Sequence, residues 1–188
     1  EKASKVGIDT MVLDDGWFSS RINDTNGLGD WYENRDRLPN GLEGLAKRIN
    51  ALGMRFGLWF EPEMVNPGTE LFKNHPDWIL HTKGRKPSLS RNQLTLDLSR
   101  DDVCDYIIDT LSGILSRANI EYIKWDMNRA MSEPGSAFWD GTRQGEVMHR
   151  YILGLYRVLE TITQRFPNIL FESCASGGAR FDAGMLYY

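Results

Sequence analysis

Apolar and polar positions alternate in blocks that read as strand and then helix, repeated along the chain. Thr10-Met11-Val12-Leu13 is a short apolar run that stops at Asp14-Asp15-Gly16, the pattern of a buried strand feeding a loop. The stretch from Phe18 to Pro39 is polar and rich in Asn, with Gly27 and Gly29, which predicts a long loop. Leu42, Leu45, Ile49 and Leu52 then recur at helical spacing, and Gly53 closes that helix. Phe56 to Phe60 is a second buried strand, stopped by Pro62. A short helix is predicted over Glu70–Asn74, ended by Pro76. Trp78 to His81 and Leu94 to Leu96 flank a turn-rich piece, Lys83 to Pro87. A long helix starts at Ser99, read as its N-cap with Asp102 three residues on, and Val103, Ile107, Leu111 and Leu115 form its apolar stripe. Tyr122 to Asp126 is a third strand and Gly135 to Gly141 a loop. Val147, Tyr151, Leu155, Leu159 and Ile162 mark another amphipathic helix, and Ile169-Leu170-Phe171 leads into a fourth strand ending at Cys174 to Gly178.

Strands separated by helices imply right-handed βαβ units and a parallel sheet, an α/β fold. Both an open doubly wound sheet and part of a barrel fit this order. At 188 residues the chain is short for a complete (β/α)8 barrel of roughly 250 residues. Composition then narrows the function classes. With 41% hydrophobic and 26% charged residues the chain is of ordinary globular type. Its 22 Lys+Arg against 26 Asp+Glu give a net charge of −4, which argues against a general nucleic-acid binder. No apolar run approaches the ~20 residues of a membrane span. Cys104 and Cys174 lie far apart with no metal-like spacing, so a reduced compartment, and with it a cytoplasmic location, is expected. The first residues, Glu1 to Lys5, read like the end of a helix and lack an initiator Met, so a leader lost with a missing N-terminus stays open.

Chemistry-bearing residues gather at the C-terminal ends of the strands, the rim where parallel α/β folds bind ligands. Asp14 and Asp15 repel each other and need partners; Mg²⁺, sugar hydroxyls and a capped turn all fit. Trp17 offers an apolar face that suits a sugar ring. Trp59, an aromatic inside a strand end, reads on pattern as core ahead of a ligand platform. Glu61 and Glu63 flank Pro62 and are either site acids or solvated loop acids. Lys124 and Asp126, two apart on a strand, share a face. A buried Lys beside Asp126 would hold the carboxylate ionised, as a nucleophile requires, while a structural ion pair is the competing reading. Asn128 and Arg129 extend that polar cluster. Gly177-Gly178 allows close backbone approach to a ligand but fits neither the P-loop nor the dinucleotide fingerprint. Cys174 reads as an inert or pocket-lining thiol, and Arg180 with Asp182 as a local ion pair. His75, His81 and His149 form no dyad or zinc pattern.

Four segments together are specific: Val12 to Trp17, Gly57 to Met64, Tyr122 to Arg129 and Glu172 to Asp182. With Gly29-Asp30-Trp31, they resemble, in family order, the catalytic-domain signatures of glycoside hydrolase family 36 (clan D) α-galactosidases. The resemblance implies that residues 1–188 are part of a single catalytic domain truncated at both ends, a partial (β/α)8 TIM barrel of approximately strands two to five. It implies a retaining α-galactosidase without cofactor or metal, removing terminal galactose from raffinose- or melibiose-type oligosaccharides, and a homo-oligomeric parent. Asp126 matches the nucleophile, and Asp14 and Asp15 match acceptors of the galactose 4- and 6-hydroxyls. Trp59 matches a pocket wall and Arg91 a sugar-contacting arginine. Lys124 matches a ligand of ring hydroxyls, Asn128 a residue shaping the same rim, and Cys174 and Gly177 neighbours of the 2-hydroxyl.

A retaining glycosidase needs a second carboxyl group ~5–5.5 Å from the nucleophile. In the family it follows a Met-Leu-Tyr-Tyr segment, here Met185 to Tyr188, so the acid/base is expected beyond residue 188 and the isolated chain is expected to be inactive. Three alternatives remain at this level. One is a galactosyl transferase or α-N-acetylgalactosaminidase of the same fold. Another is a non-catalytic sugar-binding module. The third is a Mg²⁺-dependent enzyme using Asp14, Asp15, Glu61 and Asp126.

Overall fold

The computed structural model describes residues 1–175 and 180–188. Its strands are β1 (Thr10–Leu13), β2 (Arg55–Phe60), β3 (Met64–Val65), β4 (Leu94–Thr95), β5 (Tyr122–Trp125) and β6 (Leu170–Ser173). Its α-helices are α1 (Lys2–Lys5), α2 (Gly41–Asn50), α3 (Glu70–Asn74), α4 (Asp101–Leu115) and α5 (Val147–Arg165). The four apolar runs become one sheet in the order β1-β2-β5-β6, every pair parallel. In a doubly wound sheet the strand order reverses at a switch point. Here spatial order follows chain order without reversal, which is the arrangement of a partial (β/α)8 barrel.

Burial follows position in the sheet. The inner strand β2 is buried from Phe56 onward, and in β5 Ile123 and Trp125 are buried while Tyr122 and Lys124 lie on the more open face. The outer strands depart from the sequence expectation of full burial: Met11 in β1 and Leu170 in β6 are exposed. Each outer strand has one hydrogen-bonded neighbour, so one edge and part of one face stay open.

The helices close as their patterns dictate. In α2, Leu42 and Ile49 of the predicted stripe are buried together with Ala46, Leu45 is half-buried, and Leu52 is exposed past the helix end, where Gly53 turns the chain with a φ of +75°. The side chain of Thr69 accepts from Phe72 N to cap α3, and Asp30 accepts from Glu70 N and Leu71 N at the same end. The predicted stripes of α4 and α5 are all buried, and the two helices pack together. Ser99 is not the cap of α4: Arg100 precedes the helix, and the Ser99 hydroxyl donates to Asp97 instead. Asp101 and Asp102 sit in the first turn, where the helix dipole favours negative charge.

The polar loop after β1 is more ordered than its composition suggests. Trp17, Phe18, Leu28 and Trp31 are buried and meet Trp59 and Phe60 in one aromatic cluster. A loop that crosses a sheet end needs few apolar residues to anchor it, too few to register as a periodic pattern. A small antiparallel pair, β3 with β4, was also not legible: two-residue strands carry no period.

Two glycines in the packed helices give opposite expectations. A Cβ on Gly154 in α5 would lie 1.8 Å from the Leu98 carbonyl oxygen, so Gly154→Ala should destabilise by about 1–3 kcal/mol or more. Gly113 in α4 is exposed with open space around it, so Gly113→Ala should stabilise by about 0.5–1 kcal/mol. Urea unfolding of the two variants checks both signs.

Candidate active site

Strand register builds the site. Trp59 pairs with Lys124 and Lys124 with Glu172, while Leu13 pairs with Leu58, so Asp14 follows beside Trp59. In-register parallel partners point to the same side. Asp14, Trp59, Lys124 and Glu172 therefore form one row across the C-terminal rim. Gly57 lies one step below in that face, between Val12 and Tyr122, where its missing side chain leaves room for both.

Asp126 follows β5 directly and is 6% exposed. Its backbone N–H continues the ladder to Phe60 O at 2.7 Å, which fixes the main chain. Its Oδ2 accepts from Trp59 Nε1 at 3.1 Å and from Asn128 Nδ2 at 2.6 Å; its Oδ1 accepts from Met127 N at 3.0 Å. The Cys174 thiol also donates to this carboxylate. Burial alone would push the Asp126 carboxyl up, but the hydrogen bonds from Asn128, Cys174, Trp59 and Met127 outweigh it, and the group lies below the usual value.

This corrects the role expected of Lys124. Its ammonium does not ion-pair with Asp126; Nζ bonds Asp14 Oδ2 at 3.0 Å, which raises the lysine above its ordinary value. Lys124 reaches across the row of the rim to Asp14, past Trp59 of the intervening strand β2. Asp15 turns to the other side and is held by the Arg21 guanidinium in a two-pronged bond, Nη2 to Oδ2 at 2.9 Å and Nε to Oδ1. Arg21 is itself buried over the rings of Phe18 and Trp59 and donates to Asn26 O. Sequence reasoning missed Arg21; its only signal is a lone cation six residues after Asp15 in a polar loop.

Trp59 is core, buried against Phe18, and its indole N–H donates to Asp126. Trp17 is not a sugar platform: it is 1% exposed, and its Nε1 donates to Trp59 O at 2.9 Å. Glu61 and Glu63 are not solvated loop acids; both are fully buried. Glu63 accepts from Trp125 Nε1, Tyr151 Oη and Arg180 Nη1. Arg180 thus pairs with Glu63, not with Asp182, which accepts from Tyr156 Oη and Met185 N. Glu61 accepts from Asn128 N at 2.6 Å and Gln93 Nε2 at 3.2 Å, and burial pushes its carboxyl up to about 7.

Arg91 stands further out, with a φ of +53° and a 3.0 Å ion pair to Asp24. Glu172 accepts from Tyr122 Oη at 2.6 Å, which raises that phenol to about 12. Cys174 is partly buried at the end of β6, and Gly177 lies outside the described residues. Among the described residues no three His, Cys, Asp or Glu side chains converge to hold a metal ion. Asp14 and Asp15, two of the conceivable Mg²⁺ ligands, are engaged by Lys124 and Arg21.

Glu61 makes folding pH-dependent. Its ordinary value is 4.5 and its folded value about 7, so the unfolded chain releases this proton first as pH rises. Stability from this group is therefore lost between those values, by about 3 kcal/mol at most. Glu61→Gln should remove that slope: relative to wild type, the variant gains stability on going from about pH 5 to about pH 8 in urea unfolding.

Known proteins are similar to this chain over its whole length. The family model described as Melibiase matches residues 1–188. The chain is 61% identical to alpha-galactosidase AgaA of Geobacillus stearothermophilus over 186 residues, 99% of this chain and 26% of the relative. It is 47% identical to alpha-galactosidase Mel36A of Lactobacillus acidophilus over 188 residues, all of this chain and 26% of the relative. The solved structure of a G. stearothermophilus AgaA variant in complex with raffinose superposes with a TM-score of 0.97 at 60% identity, covering all of this chain and 26% of that one. The chain therefore spans about a quarter of the length of the relatives it matches. With the whole chain matched, and with relatives this similar among the GH36 alpha-galactosidases, it belongs to the Melibiase family.

Proposed function

We propose that the whole protein is a retaining α-galactosidase that removes terminal α-linked galactose from oligosaccharides of the raffinose and melibiose type. The observation that carries this reading is Asp126, a buried carboxylate kept ionised by four donors at the strand-end rim. The relatives support it by name, and raffinose is bound in the AgaA variant structure.

In the first step an Asp126 oxygen bonds to C1 of the galactosyl unit as the C1–O bond to the leaving sugar breaks. The departing oxygen takes a proton from the acid/base carboxyl group. In the second step that group takes a proton from water, the water oxygen bonds to C1, and Asp126 leaves as a carboxylate. A carboxyl held below its ordinary value is ionised for the attack and is a good leaving group afterwards. The acid/base role is not assigned to a described residue; Asp182 is engaged by Tyr156 and Met185 N, and Glu63 by Arg180.

The rim supplies sugar contacts. Asp14 is exposed, and Lys124 uses one of its three N–H donors on it, so the pair retains donors and acceptors for ring hydroxyls. Asp15, oriented by Arg21, accepts from a further hydroxyl. Trp59 walls the pocket, Asn128 shapes the rim beside Asp126, and Cys174 lies towards the 2-hydroxyl. Arg91 contacts sugar from the outer loop.

Asp126→Asn in the whole protein should lower kcat on an aryl α-galactoside by about 10⁴-fold or more while galactose still binds. A fluorinated galactosyl inhibitor should form an ester on Asp126, read by peptide mass spectrometry. Labelling of any other residue, or an active Asp126→Asn variant, sinks the reading.

A further inference from the structure

We propose that Glu61 is a positioning residue of the nucleophile: its buried carboxyl group holds the Asn128 backbone N–H and, through Asn128, the amide that fixes Asp126. The inference rests on the reading of Asp126 as nucleophile. Asn128 is used from both ends. Its main-chain N–H donates to Glu61 Oε1 at 2.6 Å, and its side-chain Nδ2 donates to Asp126 Oδ2 at 2.6 Å. Glu61 directly follows β2, whose last carbonyl, Phe60 O, accepts from Asp126 N at 2.7 Å. Two bonds therefore staple residues 126 and 128 to the end of the neighbouring strand. Removing the Glu61 bond leaves the segment tied by Asp126 N and by the Arg129 side chain on Ser88 O and Gln93 O, neither of which sets the direction of the Asn128 amide as the bond to its own N–H does.

Glu61 is in turn held from behind. Gln93 Nε2 donates to its Oε2 at 3.2 Å, and Gln93 is fixed by its N–H on Ser90 O and by Arg129 on its carbonyl. The charged groups facing Glu61 are Asp126, beyond Asn128, and Arg21 from the loop after β1. Glu63, two residues on, is turned away to Trp125, Tyr151 and Arg180. The site needs an acceptor for Asn128 N–H more than it needs a charge. Gln93 Oε1 is buried without a partner, so a glutamine at 61 can still accept from Asn128 while a turned Gln93 amide accepts from it. An alanine removes the Glu61 acceptor of the Asn128 N–H.

The test uses the whole protein and compares wild type, Glu61→Ala, Glu61→Asp, Glu61→Gln, Asn128→Ala and the Glu61→Ala/Asn128→Ala double variant. The readouts are kcat, KM and the pH profile of kcat/KM on an aryl α-galactoside. Glu61→Ala should lower kcat about 10–100-fold, with KM changed less than about threefold. The acid limb of the profile should move upward as Asp126 loses a donor. The double variant should be no worse than Asn128→Ala alone, and Glu61→Gln should stay within about fivefold of wild type with its acid limb in place. Where Glu61→Ala does not unfold cooperatively, Glu61→Asp takes its place: the shorter carboxyl retreats from Asn128 and should give the same shift. Wild-type kcat in these variants, an unmoved acid limb, or full additivity with Asn128→Ala overturns the inference. Those results in an enzyme that is active and labelled on Asp126 defeat this inference alone; an inactive wild type, or a label elsewhere, defeats the α-galactosidase reading.

Discussion

A carboxylate removed from water protonates unless several donors face it, and Asp126 imposes that condition on everything around it. Its donors come from three strand ends: Trp59 from β2, Met127 and Asn128 from the segment after β5, and Cys174 from the end of β6. The parallel register brings these residues to one level, so the sheet and the ionisation of Asp126 are linked. A slip of one residue in β2 would turn Trp59 to the opposite face and remove one donor.

A second buried acid secures the same end of the sheet. Glu63 joins the segment after β2 to Trp125 of β5, Tyr151 of α5 and Arg180. A charge pair this deep is expensive to desolvate; Trp125 and Tyr151 satisfy the Glu63 carboxylate, while Nε and Nη2 of Arg180 are buried without a partner among the described residues. Burial and the nearby Glu63 charge push the Tyr151 phenol well above its usual value, which keeps it a donor. The two glutamates around Pro62 thus divide the work: Glu63 faces the helix layer, and Glu61 faces the nucleophile segment.

The aromatic cluster under the loop after β1 explains how a polar segment carries an ordered site. Trp17 hangs on Trp59 O, and Arg21 lies over Phe18 and Trp59 while it clamps Asp15. The direction of Asp15 therefore depends on packing beneath it. Asp14, on the other side of the turn, is set by Lys124 from two strands away.

The sequence by itself determined the alternation of strands and helices, the apolar stripes of α4 and α5, the gathering of chemistry at strand ends, and the family, because periodicity and contiguous motifs are local properties. It did not determine partners. The ammonium of Lys124 was read as the counter-charge of Asp126, two positions along the strand, and the structure gives it to Asp14. Arg180 was paired with Asp182, and the structure pairs it with Glu63. Ser99 has the sequence of a cap but donates to Asp97, and Glu61 and Glu63, whose loop position fits solvated acids, are buried. For Lys124, Arg180, Glu61 and Glu63 the deciding contact joins residues brought together by strand register or loop packing across tens of positions, whereas Ser99 turns to Asp97 only two residues back. No spacing rule along one chain reports such a contact, because the distance that fixes a hydrogen bond exists only after the sheet has formed.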